Sequence, residues 1–238
     1  MIALRSTVYL VLFLVWTLAV SVLGLPFLVT RLGALSVTRF WSRGVAAMAR
    51  WIVGVRFEIR GRENLPDGPC ILAAQHQSAF ETYMLFLMFK YPVFILKQSL
   101  QWIPFVGWYI QRGGLIPINR GAGASAMRQI LRGANEALSR GESLLIFPEG
   151  TRTAPGHYEE YKPGIAALYA HCDAPVIPMA LNTAEIWGKT RLNKLPGTII
   201  FQILPAIPAG LPRAEFLTAL RTAIETTSKK LPGPDHAA

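Results

Sequence analysis

From Ser6 to Thr30 the chain carries no charged side chain, and that stretch limits what the whole molecule can fold into. Ser6 to Gly24 alone, as a helix at 1.5 Å per residue, would measure about 28 Å, close to a hydrocarbon core of ~30 Å. The spacing therefore predicts a membrane helix. Arg5 before the run and the small residues of Ala19-Val20-Ser21 also fit a cleaved signal peptide, but Val22 to Val29 continues the apolar character beyond what such a peptide needs. Pro26 leaves open whether the segment spans or turns back as a helical hairpin.

Charge confirms that this end is special. The chain has 24 Lys+Arg against 14 Asp+Glu, and 17 of the cations are arginine. Residues 1 to 62 hold eight arginines and one acid, Glu58, a net of +7, whereas the other 176 residues carry +3. Positive charge gathered beside an apolar segment points to an anionic lipid surface and away from nucleic acid. At about 100° per residue, Arg39, Arg43 and Arg50 share one arc, with Val37, Phe40, Trp41, Met48, Trp51 and Ile52 opposite. This pattern predicts an amphipathic helix lying among headgroups, with the rest of the protein on the cytoplasmic side. Cys70 and Cys172 are too few for a disulfide framework and suit a reducing compartment.

Residues 1–55 thus read as membrane-anchoring and interfacial helices, and 56–238 as a separate body with β-branched runs at Arg56–Arg60, Cys70–Gln75, Val93–Lys97, Leu115–Asn119, Ser143–Pro148, Pro175–Ala180 and Thr198–Leu204. Helical patterns fall near Ala79–Phe89, Ala124–Ser139, Lys162–His171 and Arg213–Lys230. The alternation predicts an α/β fold, a largely parallel sheet flanked by helices. In such sheets the chemistry collects beyond the carboxyl ends of strands. His76 follows one strand-like run, and Ser78 with Glu81 spells a capping box that starts a helix there. A carboxylate in that first turn can look back at the imidazole and fix it as a general base, or can simply cap the helix. Lys97 and Arg120 end two further runs. A fourth passes into Glu149-Gly150-Thr151-Arg152, where glycine permits a tight turn and delivers an arginine to the same edge. Together these ends describe a cationic pocket with one base. The stretch Gln101 to Tyr109 could line an acyl groove, dip into lipid or be core.

No serine-hydrolase elbow, P-loop or His-Glu-x-x-His helix occurs, and no metal is required. His157, His171 and His236 stand isolated, and Cys172 at the end of an apolar helix reads as a buried thiol.

The set His76-x-x-x-x-Glu81, Gly114 to Arg120, Phe147-Pro148-Glu149-Gly150-Thr151-Arg152 and Val176 to Ala180 resembles, in order and spacing, the four blocks of the glycerolipid acyltransferase family. The resemblance runs from about Arg60 to Pro208 and implies that family's fold, the glycerol-3-phosphate acyltransferase-like fold. It implies acyl transfer from acyl-CoA or acyl carrier protein to the free hydroxyl of lysophosphatidate, forming phosphatidate. In it His76 would be the base and Glu81 its orienting carboxylate. Lys97, Arg120, Glu149, Gly150, Thr151 and Arg152 would form the phosphate-binding set. No cofactor is implied beyond the acyl donor; membrane lipid is a partner, and a bacterial inner membrane with the site facing the cytoplasm is the implied location. Related readings are another acceptor, such as a lyso-ornithine lipid or glycerol 3-phosphate, and a non-enzymatic basic membrane module. Three positions depart from the family pattern: Glu81 stands where aspartate is usual, Gln75 where asparagine often precedes the histidine, and Asn119 where aspartate commonly precedes the arginine. The longer Glu81 keeps its imidazole contact only if the helix start shifts or the side chain folds back.

Overall fold

The computed structural model describes residues 1–188 and 193–234. Seven strands form one sheet: β1 (Val55–Arg60), β2 (Ile71–Ala74), β3 (Pro92–Lys97), β4 (Ile116–Ile118), β5 (Ser143–Ile146), β6 (Val176–Leu181) and β7 (Gly197–Ile203), in the spatial order β1-β7-β6-β2-β5-β3-β4. Each strand falls on a run expected from its β-branched residues. β6, β2, β5, β3 and β4 are mutually parallel; β7 pairs antiparallel with β6 and carries the parallel β1 with it. The parallel centre is buried on both faces, as its almost unbroken apolar strands require. Along β2, Leu72 and Ala74 enter one core while Ile71 and Ala73 enter the other.

Helices cover the two faces. On one lie α1 (Ile2–Leu23), α2 (Arg31–Met48), α3 (Phe80–Met88) and α7 (Thr183–Trp187); on the other, α5 (Gly123–Ser139), α6 (Pro163–His171) and α8 (Arg213–Ser228). A further short helix, α4 (Val106–Arg112), sits between β3 and β4. Neither α4 nor α7 was expected from periodicity: both are brief and rich in aromatic residues. Trp102 in the same β3–β4 connection is 77% exposed and Trp108 half exposed, whereas Tyr109 is buried, so the stretch is part surface and part core.

The amino terminus is a helical hairpin. After α1, a 3-10 turn at Leu25–Val29 opens on Pro26, and the Thr30 hydroxyl caps α2 by accepting from the Gly33 N–H at 3.0 Å. The helices cross closely where the Trp16 indole N–H donates to the Trp41 carbonyl at 3.0 Å, and a Cβ on Gly44 would lie 2.3 Å from the Trp16 ring. By length and composition α1 could cross a membrane. It lies instead along the body of the protein. Ser6 and Tyr9 are buried near one end, Val20 and Ser21 near the other, and the Tyr109 hydroxyl donates to the Ser21 carbonyl at 3.0 Å. Its outer stripe of Leu4, Val8, Val11, Val15, Leu18 and Val22 is exposed.

The arginine face of α2 differs from the sequence expectation. Arg39 is turned inward, its guanidinium donating to the Phe86 and Phe89 carbonyls at the end of α3, which cap that helix. Trp41 likewise packs edge-on to Tyr83 inside the fold. Arg31, at the start of α2, forms a two-pronged ion pair with the buried Glu142 just before β5, and Arg140 adds two further hydrogen bonds to the same carboxylate. Burial by itself would raise the Glu142 pKa, but the arginine hydrogen bonds outweigh it and leave the carboxyl below the ordinary range.

Removing Arg31 strips two charge-assisted bonds from a buried carboxylate, so Arg31→Ala should cost about 2 kcal/mol of stability, and Arg140→Ala, whose side chain is half exposed, under ~1 kcal/mol. Because the folded carboxyl titrates low, this stabilisation is present at neutral pH and is lost as pH falls below the ordinary carboxylate range through the depressed folded value. Thermal unfolding of the detergent-solubilised protein across pH, wild type against Arg31→Ala, measures both effects.

Candidate active site

The four strands that end in cationic residues are neighbours. β2, β5, β3 and β4 lie side by side and parallel, so the chain that follows each emerges at one edge. His76 follows β2; Glu149 to Arg152 follow β5; Lys97 closes β3, paired in register with Ile118, two residues before Arg120.

His76 is held from three sides. Its Nδ1 lies 3.0 Å from Glu81 Oε1, and its ring stacks on Phe147 with centroids 4.0 Å apart. Its carbonyl accepts from both the backbone N–H and the hydroxyl of Thr153, at 2.8 and 3.1 Å. The side chain keeps 18% of its surface exposed, whereas the Glu81 side chain is fully buried. Glu81 solves its extra methylene by folding back over the start of α3. Oε1 also accepts from the Gln77 and Ser78 N–H groups at 2.7 and 2.6 Å, and Oε2 accepts from the Ser78 hydroxyl at 2.7 Å. The carboxylate half of the expected capping box is therefore present. The hydroxyl half is altered, since Ser78 Oγ accepts from the Phe80 N–H at 2.9 Å. With Nδ1 donating to the carboxylate, Nε2 carries the lone pair.

The turn after β5 is anchored to the same place. Gly150 adopts φ +65°, a left-handed geometry that glycine accepts without strain, and the Lys162 N–H closes onto the Pro148 carbonyl at 2.8 Å. Arg120 donates to the Gly150 carbonyl and so holds the turn. Asn119 forms a local turn by accepting from the Gly121 N–H at 3.1 Å, which accounts for an amide there without an ion pair. Thr151, Arg152 and Lys97 are exposed at this edge. Arg152 lies near the Tyr83 phenol, whose pKa burial pushes up to about 12 while the Arg152 charge pulls it back.

Glu149, which the resemblance places in the phosphate-binding set, is buried where Thr151 and Arg152 beside it are exposed. It is 2% exposed, and its Oε2 has no hydrogen-bond partner among the described residues. Burial raises its pKa to about 8, against the pull of the Glu149 and His76 backbone N–H groups and of Arg221 on α8. The carboxyl is buried beside the backbone of the histidine loop, where desolvation favours its neutral form. His171 bonds the Ala167 carbonyl on its own helix and Cys172 is buried, both as expected; His236 lies outside the described residues.

Sequence reasoning missed Thr153, one residue past the quoted block, and the partners of Gln75 and Gln77, which flank His76. Gln77 Oε1 accepts from the Ala184 N–H at 2.8 Å and its amide donates to the Leu181 carbonyl at 3.1 Å, tying the histidine loop to α7. The Leu181 N–H reaches Gln75 Oε1 at 3.4 Å. A run of uncharged polar residues around a histidine was the available signal.

Comparison with known proteins bears on this arrangement. Residues 56–182, more than half of the chain, match the family model described as Acyltransferase. The chain is 37% identical over 173 residues to the 1-acyl-sn-glycerol-3-phosphate acyltransferase of Pseudomonas aeruginosa, covering 73% of this chain and 67% of that protein. It is 30% identical over 172 residues to the human 1-acyl-sn-glycerol-3-phosphate acyltransferase beta, covering 70% and 61% respectively. The crystal structure of the 1-acyl-sn-glycerophosphate acyltransferase of Thermotoga maritima superposes with a TM-score of 0.77 over 97% of this chain and 99% of that one, at 21% identity, which establishes a shared fold. The edge built from His76, Glu81 and the turn after β5 lies within the matched region or follows from it, and the chain belongs to the acyltransferase family.

Proposed function

We propose that this protein transfers a fatty acyl group from an acyl thioester, on coenzyme A or acyl carrier protein, to the free hydroxyl of lysophosphatidate. The observation that carries this reading is the 3.0 Å contact of His76 with Glu81 at an edge where the strand ends also gather Lys97, Arg120 and Arg152. The names of the bacterial and human relatives supply the acceptor.

His76 Nε2 takes the hydroxyl proton while the oxygen attacks the thioester carbonyl carbon. Glu81 stabilises the imidazolium that forms. The tetrahedral intermediate expels the thiolate, which receives the proton back from His76, giving phosphatidate and free thiol. No acyl-enzyme and no further cofactor take part. Holding both reactants in line accounts for much of the rate. Lys97, Thr151 and Arg152 meet the phosphate, while Arg120 sets the turn that presents them.

The exposed apolar hairpin supports a reading in which this edge works at a membrane. Both ends of α1 are fixed to the body of the protein, so the helix rests in the interface with its outer stripe toward acyl chains, and does not cross. Exposed Trp102 and Trp108 extend that surface. Donors made in the cytosol put the site on the cytoplasmic side of a bacterial inner membrane.

Purified protein given lysophosphatidate and labelled acyl thioester tests the assignment. His76→Ala should lower turnover by about 10²–10⁴-fold with the fold retained, since three other donors still meet Glu81. Glu81→Gln should lower turnover comparably and also destabilise, because an amide cannot accept all the donors that converge on the carboxylate. Full turnover in His76→Ala, or binding of lipid without any transfer in the wild type, would refute the reading.

Glu149 makes a separate prediction. Its folded pKa of about 8 is raised, so stability is greatest below the ordinary carboxylate pKa and declines as pH rises through about 8. Glu149→Gln, which mimics the neutral acid, should flatten that decline, as read from unfolding temperatures between pH 5 and 9.

A further inference from the structure

Thr153 is 4% exposed, although it stands between the exposed Arg152 and Ala154. Both of its donors turn to one atom. The backbone N–H at 2.8 Å and the hydroxyl at 3.1 Å meet the carbonyl oxygen of His76, 77 residues earlier in the chain. A carbonyl oxygen carries two lone pairs, so the two bonds together fill its accepting capacity and hold the His76 peptide in place. Any residue but proline would supply the N–H; the hydroxyl is what threonine adds.

The register of β2 with β5 ends at Ala73 and Ile146, before either residue is reached. Past that point the Thr153 bonds carry the alignment of the two chain segments onward. Phe147, at the start of the same connection, stacks on the His76 ring with centroids 4.0 Å apart. One segment, residues 147–153, therefore grips the histidine by its ring and by its carbonyl. Arg152 belongs to that segment and directly precedes Thr153, so the backbone that bears the cation is tied to the backbone that bears the base. In an acceptor that is held by its phosphate, moving the free hydroxyl along by one carbon displaces it by more than ~1 Å, and a misplacement of that size is worth up to about 10²-fold in rate.

We propose that Thr153 is a positioning residue for acyl transfer: its hydroxyl fixes the His76 peptide to the turn after β5, sets the separation between the base and Arg152, and thereby selects the acceptor hydroxyl on the carbon next to the phosphate-bearing one. This rests on the lysophosphatidate reading above. It assigns the choice of hydroxyl to a residue that touches neither reactant.

Steady-state kinetics of the full-length protein in mixed micelles test it with two acceptors whose ether-linked chains cannot migrate, 1-O-alkylglycerol 3-phosphate and 2-O-alkylglycerol 3-phosphate. The wild type should prefer the first, whose free hydroxyl is one carbon closer to the phosphate. Thr153→Val keeps the side chain's shape and the N–H but removes the hydroxyl. It should lower kcat for the 1-alkyl acceptor about 10-fold, leave KM for the thioester unchanged, and shrink the preference between the two acceptors at least ~5-fold. Thr153→Ser should restore both quantities. Unchanged kcat in Thr153→Val overturns the proposal, as does an equal loss with the two acceptors or a Thr153→Ser variant as impaired as Thr153→Val. A Thr153→Val chain that fails to fold assigns the residue to the fold and overturns it too. An active wild type indifferent to the position of the hydroxyl overturns this proposal alone, whereas a wild type that acylates neither acceptor overturns the reading on which it rests.

Discussion

One buried carboxylate organises the edge that carries His76. Glu81 receives the Gln77 and Ser78 backbone N–H groups, the Ser78 hydroxyl and His76 Nδ1, so the start of α3 and the aim of the imidazole are settled by the same two oxygens. Burying a carboxylate costs several kcal/mol unless its lone pairs are met, and here four donors meet them. The arrangement makes the imidazole an extension of the helix terminus: its position is as rigid as the junction between β2 and α3. Phe147 and Thr153, arriving from β5, close on the histidine ring and its carbonyl, and bind the second half of the site to the first.

Sheet order does the rest of the assembly. Because β5 inserts between β2 and β3, the turn bearing Arg152 is delivered beside His76, and Arg120 from the outer strand β4 reaches back to support it. The hairpin is fastened to this frame at several points, among them Arg31 on Glu142, Arg39 on the end of α3, Tyr109 on Ser21, and Ser6 on the loop that carries Lys194. A hairpin so fixed has a defined tilt relative to the site. The arginines of the amino terminus accordingly divide their work, some pairing internally and others, such as Arg43 and Arg50, remaining exposed.

What the sequence made legible follows from the range of the forces involved. Strands of β-branched residues and helices of ordinary length announce themselves locally, and all seven strands lie where those runs predict. His76 and Glu81 were readable because five residues separate them. The antiparallel turn of β7, the insertion of β5 and the short aromatic helices α4 and α7 depend on long-range packing and left no periodic trace. Arg39 was misassigned for a related reason: its angular position on α2 was right, but the partner on that side proved to be the carbonyl end of α3, which no helical wheel reveals. Glu149 belonged to the correct block, yet its inward orientation could be learned only from burial.

The central claim is that His76 Nε2 faces the acceptor hydroxyl while the cations of the same edge hold its phosphate. A crystal structure with lysophosphatidate bound would test it most directly. The account predicts the free hydroxyl oxygen within about 2.6–3.2 Å of Nε2, with the phosphate against Arg152. A lipid bound with its hydroxyl beyond reach of the imidazole, or with its phosphate at the opposite end of the sheet, would contradict it.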